Sequence, residues 1–563
     1  MVAIEFSFQD LLKLLEKPLT IDELDNLFSN AVAEVDDYDG DDIKVDIKTS
    51  NRPDLWSIEG LIREVNPLLS RSKAGLPKLE TDKSDIIVEV SSELASVRPY
   101  IGCAAVKGLD LDDYLIKQLI QTQEKIDFSW GRNRKRTSIG VYNLSMIESP
   151  IRYTLVDPSY RFVPLGFTEE MSLSEILKRH PKGQEYAHIL ANTQKKPLLV
   201  DKNDMVLSLP PIINSNDVGR VTEETRDILV EVTGTDMEAV HIAINILVQN
   251  LQDRGGKVFN TEIRYPPEIN NGESLITPIL TPQRINIDPK IISKWLGIKL
   301  SAKQIVDVLL DRNYDAVSKK DLVMATYPTY RNDILHWVDV AEDIAIGLGY
   351  MKVEPQEWVA LTTGRVTDET RNLRRVRDIL VGLGYLELFS YTLTDPQNFI
   401  EKTRYTTEKE LIYTQNPVSQ SQSIIRNGVL PSLMEVLSAN THATYPQNLF
   451  EVGEVVELQK GKPVQMYNLC AVTAGANKDY SNVHTVLDTV MRLIGLEYSL
   501  QPIERPYLLP GRAAEIIFEG KGIGYLGELH PEILENWEIW LPVAVMEVKL
   551  AELPLDIPKI YTY

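Results

Sequence analysis

The carboxyl-terminal third constrains this chain most. A helix-period stretch at 368–383 is followed by six strand-length segments, at 386–393, 449–458, 466–474, 514–519, 523–529 and 544–550. Strands grouped in this way, rather than alternating with helices, predict a mostly antiparallel sheet flanked by helices, hence an α+β domain. That block, 360–563, is about a third of a 563-residue chain. At ~100–200 residues per domain, three to five domains are expected.

The rest divides into three further blocks. Residues 1–80 alternate short strands and helices and end in the loop 73–77. A turn at 49–54 leads there into a helix with apolar residues at 55, 58, 61, 62 and 65. Residues 85–265 carry a helix near 112–127, two strands in 197–215, and a strand, a turn and a long helix in 225–255. Asp236 is placed to cap that last helix. Residues 272–352 form a compact α+β module, joined to the last block by 351–358.

Several classes are excluded. No apolar run approaches the ~18 residues of a membrane span, and the amino terminus lacks a basic head and apolar stretch, so neither a membrane protein nor a secretory signal is expected. Two distant cysteines, Cys103 and Cys470, argue against a disulfide framework or a cysteine-bound zinc, and for a reducing, cytoplasmic setting. With 59 basic and 81 acidic residues the net charge is −22, so contact with nucleic acid needs a local patch. "GRNRKR" at 131–136 is one, with four positive charges; it reads as a solvated loop or as a phosphate contact. Gly522, Gly524 and Gly527 match a dinucleotide fingerprint by letters, but no helix begins at the third glycine; the stretch reads as a hairpin turning at 520–522.

"YPTYRNDILHWVDVAEDIAIGLGY" at 327–350 poses a question of charge. Apolar residues at 334, 338, 341, 345 and 348 define one helix face, Asp333 stands where an N-cap would, and Asp339, Glu342 and Asp343 fall within one turn. Like charges at these spacings repel. Solvent, a basic partner or a hard cation such as Mg²⁺ could offset the cost.

The same segment carries P-x-Y-R-x-D-I and E-D-I-A-x-x-x-G-Y, and so resembles the phenylalanyl-tRNA synthetase β-subunit family, in its archaeal and eukaryotic cytosolic form. "TSNRPDLWSIEGLIREV" (49–65), "PPIINSNDVGRVTEETRDILVEVTGTD" (210–236), "NPVSQSQSIIRNGVLPSLMEVLSAN" (416–440) and "NLFEVGEVVE" (448–457) agree in the family's order. The resemblance implies an amino-terminal module (1–80), an editing domain (85–265), a magnesium-binding module (272–352) and a class II catalytic-like domain without aminoacylation residues (360–563). The late hairpin lacks the Gly-x-Gly-x-x-x-Arg arginine of class II enzymes, and Arg426 lacks ATP-clamping surroundings. The terminal stretch 553–563 leaves no room for an anticodon-binding domain.

The resemblance further implies an α2β2 tetramer in the cytoplasm. Its α subunit binds ATP and phenylalanine and charges tRNA, and its β subunit hydrolyses mischarged Tyr-tRNA. The matching editing positions are Gln123, Glu124, Arg134, Asn214, Glu231 and Thr233; the matching Mg²⁺ positions are Asp333, Asp339, Glu342 and Asp343. A hydrophobic pocket rejects an analogue bearing one extra hydroxyl only ~10²-fold, which is why a second, hydrolytic site is needed. Arg134 would hold phosphate or the terminal adenosine, and Asn214 and Thr233 would orient water or the ester carbonyl. Glu124 or Glu231 would meet the phenol or act on water. With no Ser-His-Asp or zinc set, a positioned water is the simplest nucleophile. The rival is a scaffold of the same fold that binds tRNA or protein without catalysis.

Overall fold

A computed structural model describes residues 2–557, 560 and 561. Residues 558, 559, 562 and 563 of the terminal 553–563 stretch lie outside the described residues. The chain forms two compact units, Met1–Gln356 and Glu357–Tyr563. The first three blocks expected from sequence each carry a sheet and pack together as the first unit, although Leu275–Thr277 of the third block pairs with Lys257–Arg264 in the sheet of the second.

In the first unit, Val2–Ser7 and Ala33–Asp39 flank Asp42–Ile47 in an antiparallel sheet. Ile4, Phe6, Ile43, Val45 and Ile47 turn inward, as period-two alternation requires. The helix Ile58–Leu69 buries Leu61, Ile62 and Val65, but also Glu59, Arg63 and Glu64. Buried charges need partners. Here they pair with residues far along the chain, for instance Arg63 with Asp253 (2.5 Å) and Glu59 with Arg254 (2.6 Å).

The centre of this unit is an eleven-stranded mixed sheet. Three of its strands lie side by side in the order Tyr100–Lys107, Ile228–Gly234, Thr137–Asn143, all antiparallel. All seven residues of the middle strand are buried, which fits the near-continuous apolar run "ILVEV" and makes Glu231 an anomaly to be explained. The helix Met237–Asp253 packs on the sheet, with Asp236 accepting from the Ala239 amide (3.0 Å) as the expected cap. The helix Asp113–Phe128, capped by Asp112 (2.7 Å), lies over the outer strand of the three.

Gln283–Ile287, Leu322–Tyr327 and Asp315–Lys319 make a third antiparallel sheet, covered by Pro289–Leu296, Ala302–Leu310 and Trp337–Leu348. The last helix differs from expectation in two ways. Its first turn is tied down by Asp339, whose Oδ2 accepts from the Leu335 (2.8 Å) and His336 (2.7 Å) amides; Asp333 is not the cap. Its buried face runs through Val340, Ala341, Asp343 and Ile344, rotated from the stripe at 338, 341, 345 and 348. A Cβ on Gly347 would lie 2.6 Å from a Val308 methyl, so this glycine permits the close helix contact that turns Asp343 inward.

The second unit is an eight-stranded sheet, antiparallel except where Leu386–Glu387 joins its edge. Asp368–Gly382 and Tyr480–Ile494 pack against one core and Leu430–Ala439 against another. Leu508–Phe518 and Lys521–Leu529 form a hairpin around Gly520 (φ 77°). A Cβ on Gly524 would meet the Glu547 carbonyl at 2.1 Å, so that glycine serves close strand packing.

Candidate functional site

The helix Asp113–Phe128, the strand Thr137–Asn143 and the segment 208–221 enclose a cavity of about 270 Å³ in the first unit. Ile116, Leu119, Ile139, Leu209 and Ile213 supply an apolar wall. Five of the six residues expected at a hydrolytic site line it, namely Gln123, Glu124, Arg134, Asn214 and Glu231. Thr233 does not; it is fully buried behind the wall, bonded to Ser138 (3.1 Å), which does line it.

The six residues occupy different depths. Glu124 is exposed at the mouth. Gln123 donates to the Ile139 carbonyl (2.6 Å) and Asn214 to the Val141 carbonyl (3.3 Å), both on the strand that forms the cavity wall. Arg134 follows Arg132 and Asn133, and all three have left-handed φ of 52–63°. That tight turn returns the basic loop over the cavity. The guanidinium stacks on Tyr186 (4.5 Å), donates to the Ile212 carbonyl (2.9 Å) and lies 3.3 Å from the buried Asp127 carboxylate. Of the loop's other cations, Arg136 pairs with Asp236 (2.9 Å) and stacks on Trp130 (4.3 Å).

Glu231 lies deepest, 2% exposed. Its Oε2 accepts from the Tyr142 phenol (2.8 Å), while its Oε1 has no hydrogen-bond partner among the described residues. Burial pushes the carboxyl up to about 7, against the Tyr142 hydrogen bond, the Arg98 charge and the Thr233 hydroxyl, which pull it down. Burial likewise raises Asp127 to about 7, opposed by Arg134 and then Arg98. Gly140 faces Glu231 across the strand pair; a Cβ there would lie 2.1 Å from the Tyr142 hydroxyl and 2.6 Å from Glu231 Oε2. An acceptor oxygen left unpaired in an apolar cavity is costly unless a ligand donor completes it. A ligand that uncovers that oxygen and carries a hydroxyl at the end of an apolar group would complete it.

Arg98, Asp127, Ser138 and Tyr142 were not singled out from sequence. For Ser138 and Tyr142 the signal is the register of Thr137–Asn143 against Ile228–Gly234, and for Arg98 and Asp127 it is contact with residues distant or on another element, neither of which the sequence displays.

The acidic helix answers its charge question from within the chain. Arg331 forks onto Asp333 (2.7 and 2.6 Å) and reaches Asp343 (2.8 Å). Arg312 lies 3.6 Å from Asp343 and 2.6 Å from Glu64; Arg52 binds Asp54 (2.7 Å) and Glu64 (2.9 Å) and lies 3.9 Å from Asp333. Tyr314 donates to Asp343 at 2.5 Å. Burial alone would raise the Asp343 carboxyl, but Arg331, then Arg312 and Arg52, hold it well below the usual carboxylate range. Among the described residues no group of three metal-ligating side chains converges. Asp333 and Asp343 belong to arginines, Asp339 has one oxygen on backbone amides, and Glu342 is exposed. The four carboxylates as placed do not form one cation site.

In the second unit Arg426, 1% exposed, donates to Glu451 (2.7 Å), Ser390 (2.6 Å) and the Glu454 carbonyl (2.8 Å). Tyr405 stacks on Tyr507 (ring centroids 5.2 Å apart) and Tyr507 meets Tyr525 edge-on (5.3 Å), with the Tyr525 phenol donating to Glu547 (2.9 Å). Leu386, Phe389 (97%), Tyr391 and Val418 are exposed.

Comparison with known proteins places these features. Residues 357–550 match the family model described as the phenylalanyl tRNA synthetase beta chain CLM domain, and residues 285–350 match the tRNA synthetase B5 domain. The chain is 39% identical over 552 residues to the phenylalanine–tRNA ligase beta subunit of Pyrococcus furiosus, covering 97% of this chain and 98% of that protein. It is 37% identical to the Methanococcoides burtonii beta subunit, over 89% of this chain and 91% of that one. A crystal structure of an N-terminal fragment of the Pyrococcus horikoshii phenylalanyl-tRNA synthetase beta subunit superposes with a TM-score of 0.60 at 38% identity, covering 62% of this chain and all of that fragment.

Proposed function

The chain belongs to the phenylalanine–tRNA ligase β-subunit family, and from that premise we propose that its central cavity hydrolyses tyrosine wrongly esterified to the phenylalanine tRNA. As a β subunit it is a component of the ligase. The reading places phenylalanine activation and ATP on an α partner, in a cytoplasmic α2β2 tetramer.

One observation carries the hydrolytic reading: Glu231, a buried carboxylate with its Oε1 unpartnered among the described residues, is part of the lining of the apolar cavity. A tyrosyl side chain entering past Ile116 and Leu119 brings its phenol to that oxygen, and phenylalanine leaves it unpaired at ~1–3 kcal/mol. Glu231 thus reads the phenol. Glu124, at the mouth, is left to work on water, with Gln123 and Asn214 fixed against the strand to orient water or the ester. Arg134, held by Asp127 and Tyr186, meets the terminal phosphate or adenosine. Deacylation of Tyr-tRNA by the holoenzyme tests the assignment: Glu231→Ala and Asn214→Ala each slow it, and unchanged rates would remove those residues from the site.

The second unit is proposed to be a class II catalytic-like domain that has lost aminoacylation. Arg426 has its donors committed to Glu451, Ser390 and Glu454, with none directed to a nucleotide phosphate. The exposed apolar residues Leu386, Phe389 and Tyr391 suit a permanent subunit interface. Pyrophosphate exchange by the purified chain without its α partner would contradict this. The boundaries 1–80, 85–265, 272–352 and 360–563 stand as proposed modules, with the first three sharing one unit. For Mg²⁺, the proposal narrows to Asp339 and Glu342, the carboxylates not held by arginine; a hard cation there would take its remaining ligands from water and the partner.

A further inference from the structure

Beneath the cavity wall, Arg98 is 2% exposed and forms no carboxylate hydrogen bond or ion pair among the described residues. Its donors go to neutral oxygens: Thr233 Oγ1 (3.0 Å), the Thr233 carbonyl (2.7 Å), Ser138 Oγ (3.1 Å), and the carbonyls of Arg134 (3.0 Å) and Lys135 (3.3 Å). A guanidinium has no acceptor, so both hydroxyls must accept from it. Ser138 and Thr233 are register partners on adjacent strands, with their hydroxyl oxygens 3.1 Å apart.

The protons can then be counted. The two hydroxyls own two protons. One closes the bond between them, and one remains. The Thr233 hydroxyl lies close enough to Glu231 to lower its carboxyl, but no hydrogen bond between the two forms among the described residues, and of the two hydroxyls Ser138 alone lines the cavity. With Thr233 donating to Ser138, the chain runs from Arg98 to Thr233 to Ser138 and ends in a Ser138 O–H free to donate into the cavity. A charged donor at its head polarises such a chain and strengthens its last member.

We propose that Ser138 is a catalytic hydrogen-bond donor to the carbonyl oxygen of the bound aminoacyl ester, and that Arg98 is the positioning residue that fixes its polarity. This rests on the hydrolytic reading of the cavity and adds to it the group that meets the reacting carbonyl. Gly140, two residues along from Ser138, faces Glu231. Two residues of strand span about 7 Å, comparable to the reach from the phenol oxygen of tyrosine to its carbonyl. With the phenol on Glu231, the ester carbonyl falls at Ser138. In the reaction the water oxygen bonds to the carbonyl carbon and the bond from that carbon to the ribose oxygen breaks. The ribose oxygen takes up one water proton, and the released tyrosine gives its carboxyl proton to solvent. Ser138 remains covalently unchanged and stabilises the negative charge that grows on the carbonyl oxygen.

The test is single-turnover and steady-state deacylation of Tyr-tRNA by the holoenzyme. Ser138→Ala is expected to lower kcat ~10²-fold, the loss typical of one oxyanion donor, with KM unchanged and thermal unfolding lowered by the loss of its bonds to Arg98 and Thr233. Ser138→Cys, with a weaker donor of similar shape, falls between. Thr233→Ser keeps the chain and the rate, and Thr233→Val breaks both. If the wild type hydrolyses Tyr-tRNA and Ser138→Ala does so at the same kcat, or loses only KM, the inference is overturned while the hydrolytic reading stands. If the wild type does not hydrolyse Tyr-tRNA, both fall.

Discussion

Replacing Asp343 by alanine tests how the acidic helix is held. Asp343 is 4% exposed and serves Arg331 (2.8 Å), Arg312 (3.6 Å) and Tyr314 (2.5 Å). Around it three arginines (Arg52, Arg312, Arg331) face four carboxylates (Asp54, Glu64, Asp333, Asp343). Removing one acid leaves Arg331 on Asp333 and Arg312 on Glu64, so no arginine is left uncompensated, but it takes buried acceptors from Arg331 and Tyr314, which costs ~1–3 kcal/mol. At roughly 2 °C per kcal/mol for a large unit, the transition of the first unit should fall by about 2–6 °C in calorimetry of the full chain. Glu342→Ala, one position earlier and exposed, should change it by less than ~0.5 kcal/mol. Acid acts in the same direction. The folded-state value of Asp343 lies below its unfolded value, so its contribution is fully present above about pH 4 and is lost as pH falls below that. Chelation of the isolated chain should leave the transition in place. If chelation lowers it and Asp343→Ala does not, a divalent cation rather than the arginines holds the helix, and the charge accounting is wrong.

Three further substitutions follow from the same geometry. Glu231→Gln removes a carboxyl whose raised folded value of about 7 makes it destabilising as pH climbs from the unfolded value toward 7; the variant should gain about 3 kcal/mol at pH 8 and nothing at pH 4, seen in urea melts. Gly140→Ala places a Cβ 2.1 Å from the Tyr142 hydroxyl and should cost ~1–3 kcal/mol while abolishing Tyr-tRNA hydrolysis. Arg426→Met leaves Glu451, 1% exposed, without its cation and should cost ~3–5 kcal/mol in the transition of the second unit, with little effect on the first.

What the sequence could reveal depended on whether the determining contact was local. Asp236 reads as a cap because its partner, Ala239, is three residues away, and the 508–529 hairpin reads from its turn. Gln123, Glu124, Arg134, Asn214 and Glu231 came from matched motifs, and the fold brings them to one cavity. Arg98 could not be read this way, because its role is written in residues 36–135 positions away. Ser138 looked like any small strand residue until the register set it opposite Thr233. The acidic helix misled for the same reason. Its rotation is set by Gly347 against Val308 and by arginines at 52, 312 and 331, which a periodicity argument over 334–348 does not see.

The most direct test of the central claim is discrimination at the cavity, measured as kcat/KM for hydrolysis of Tyr-tRNA against Phe-tRNA by the holoenzyme, in wild type and in Glu231→Gln. The account predicts that the wild type favours Tyr-tRNA and that the variant loses at least ~10-fold of that preference through slower hydrolysis of the tyrosyl ester, since about 1.4 kcal/mol of phenol recognition is tenfold. Equal hydrolysis of both esters by the wild type, or a preference that survives Glu231→Gln intact, would contradict it.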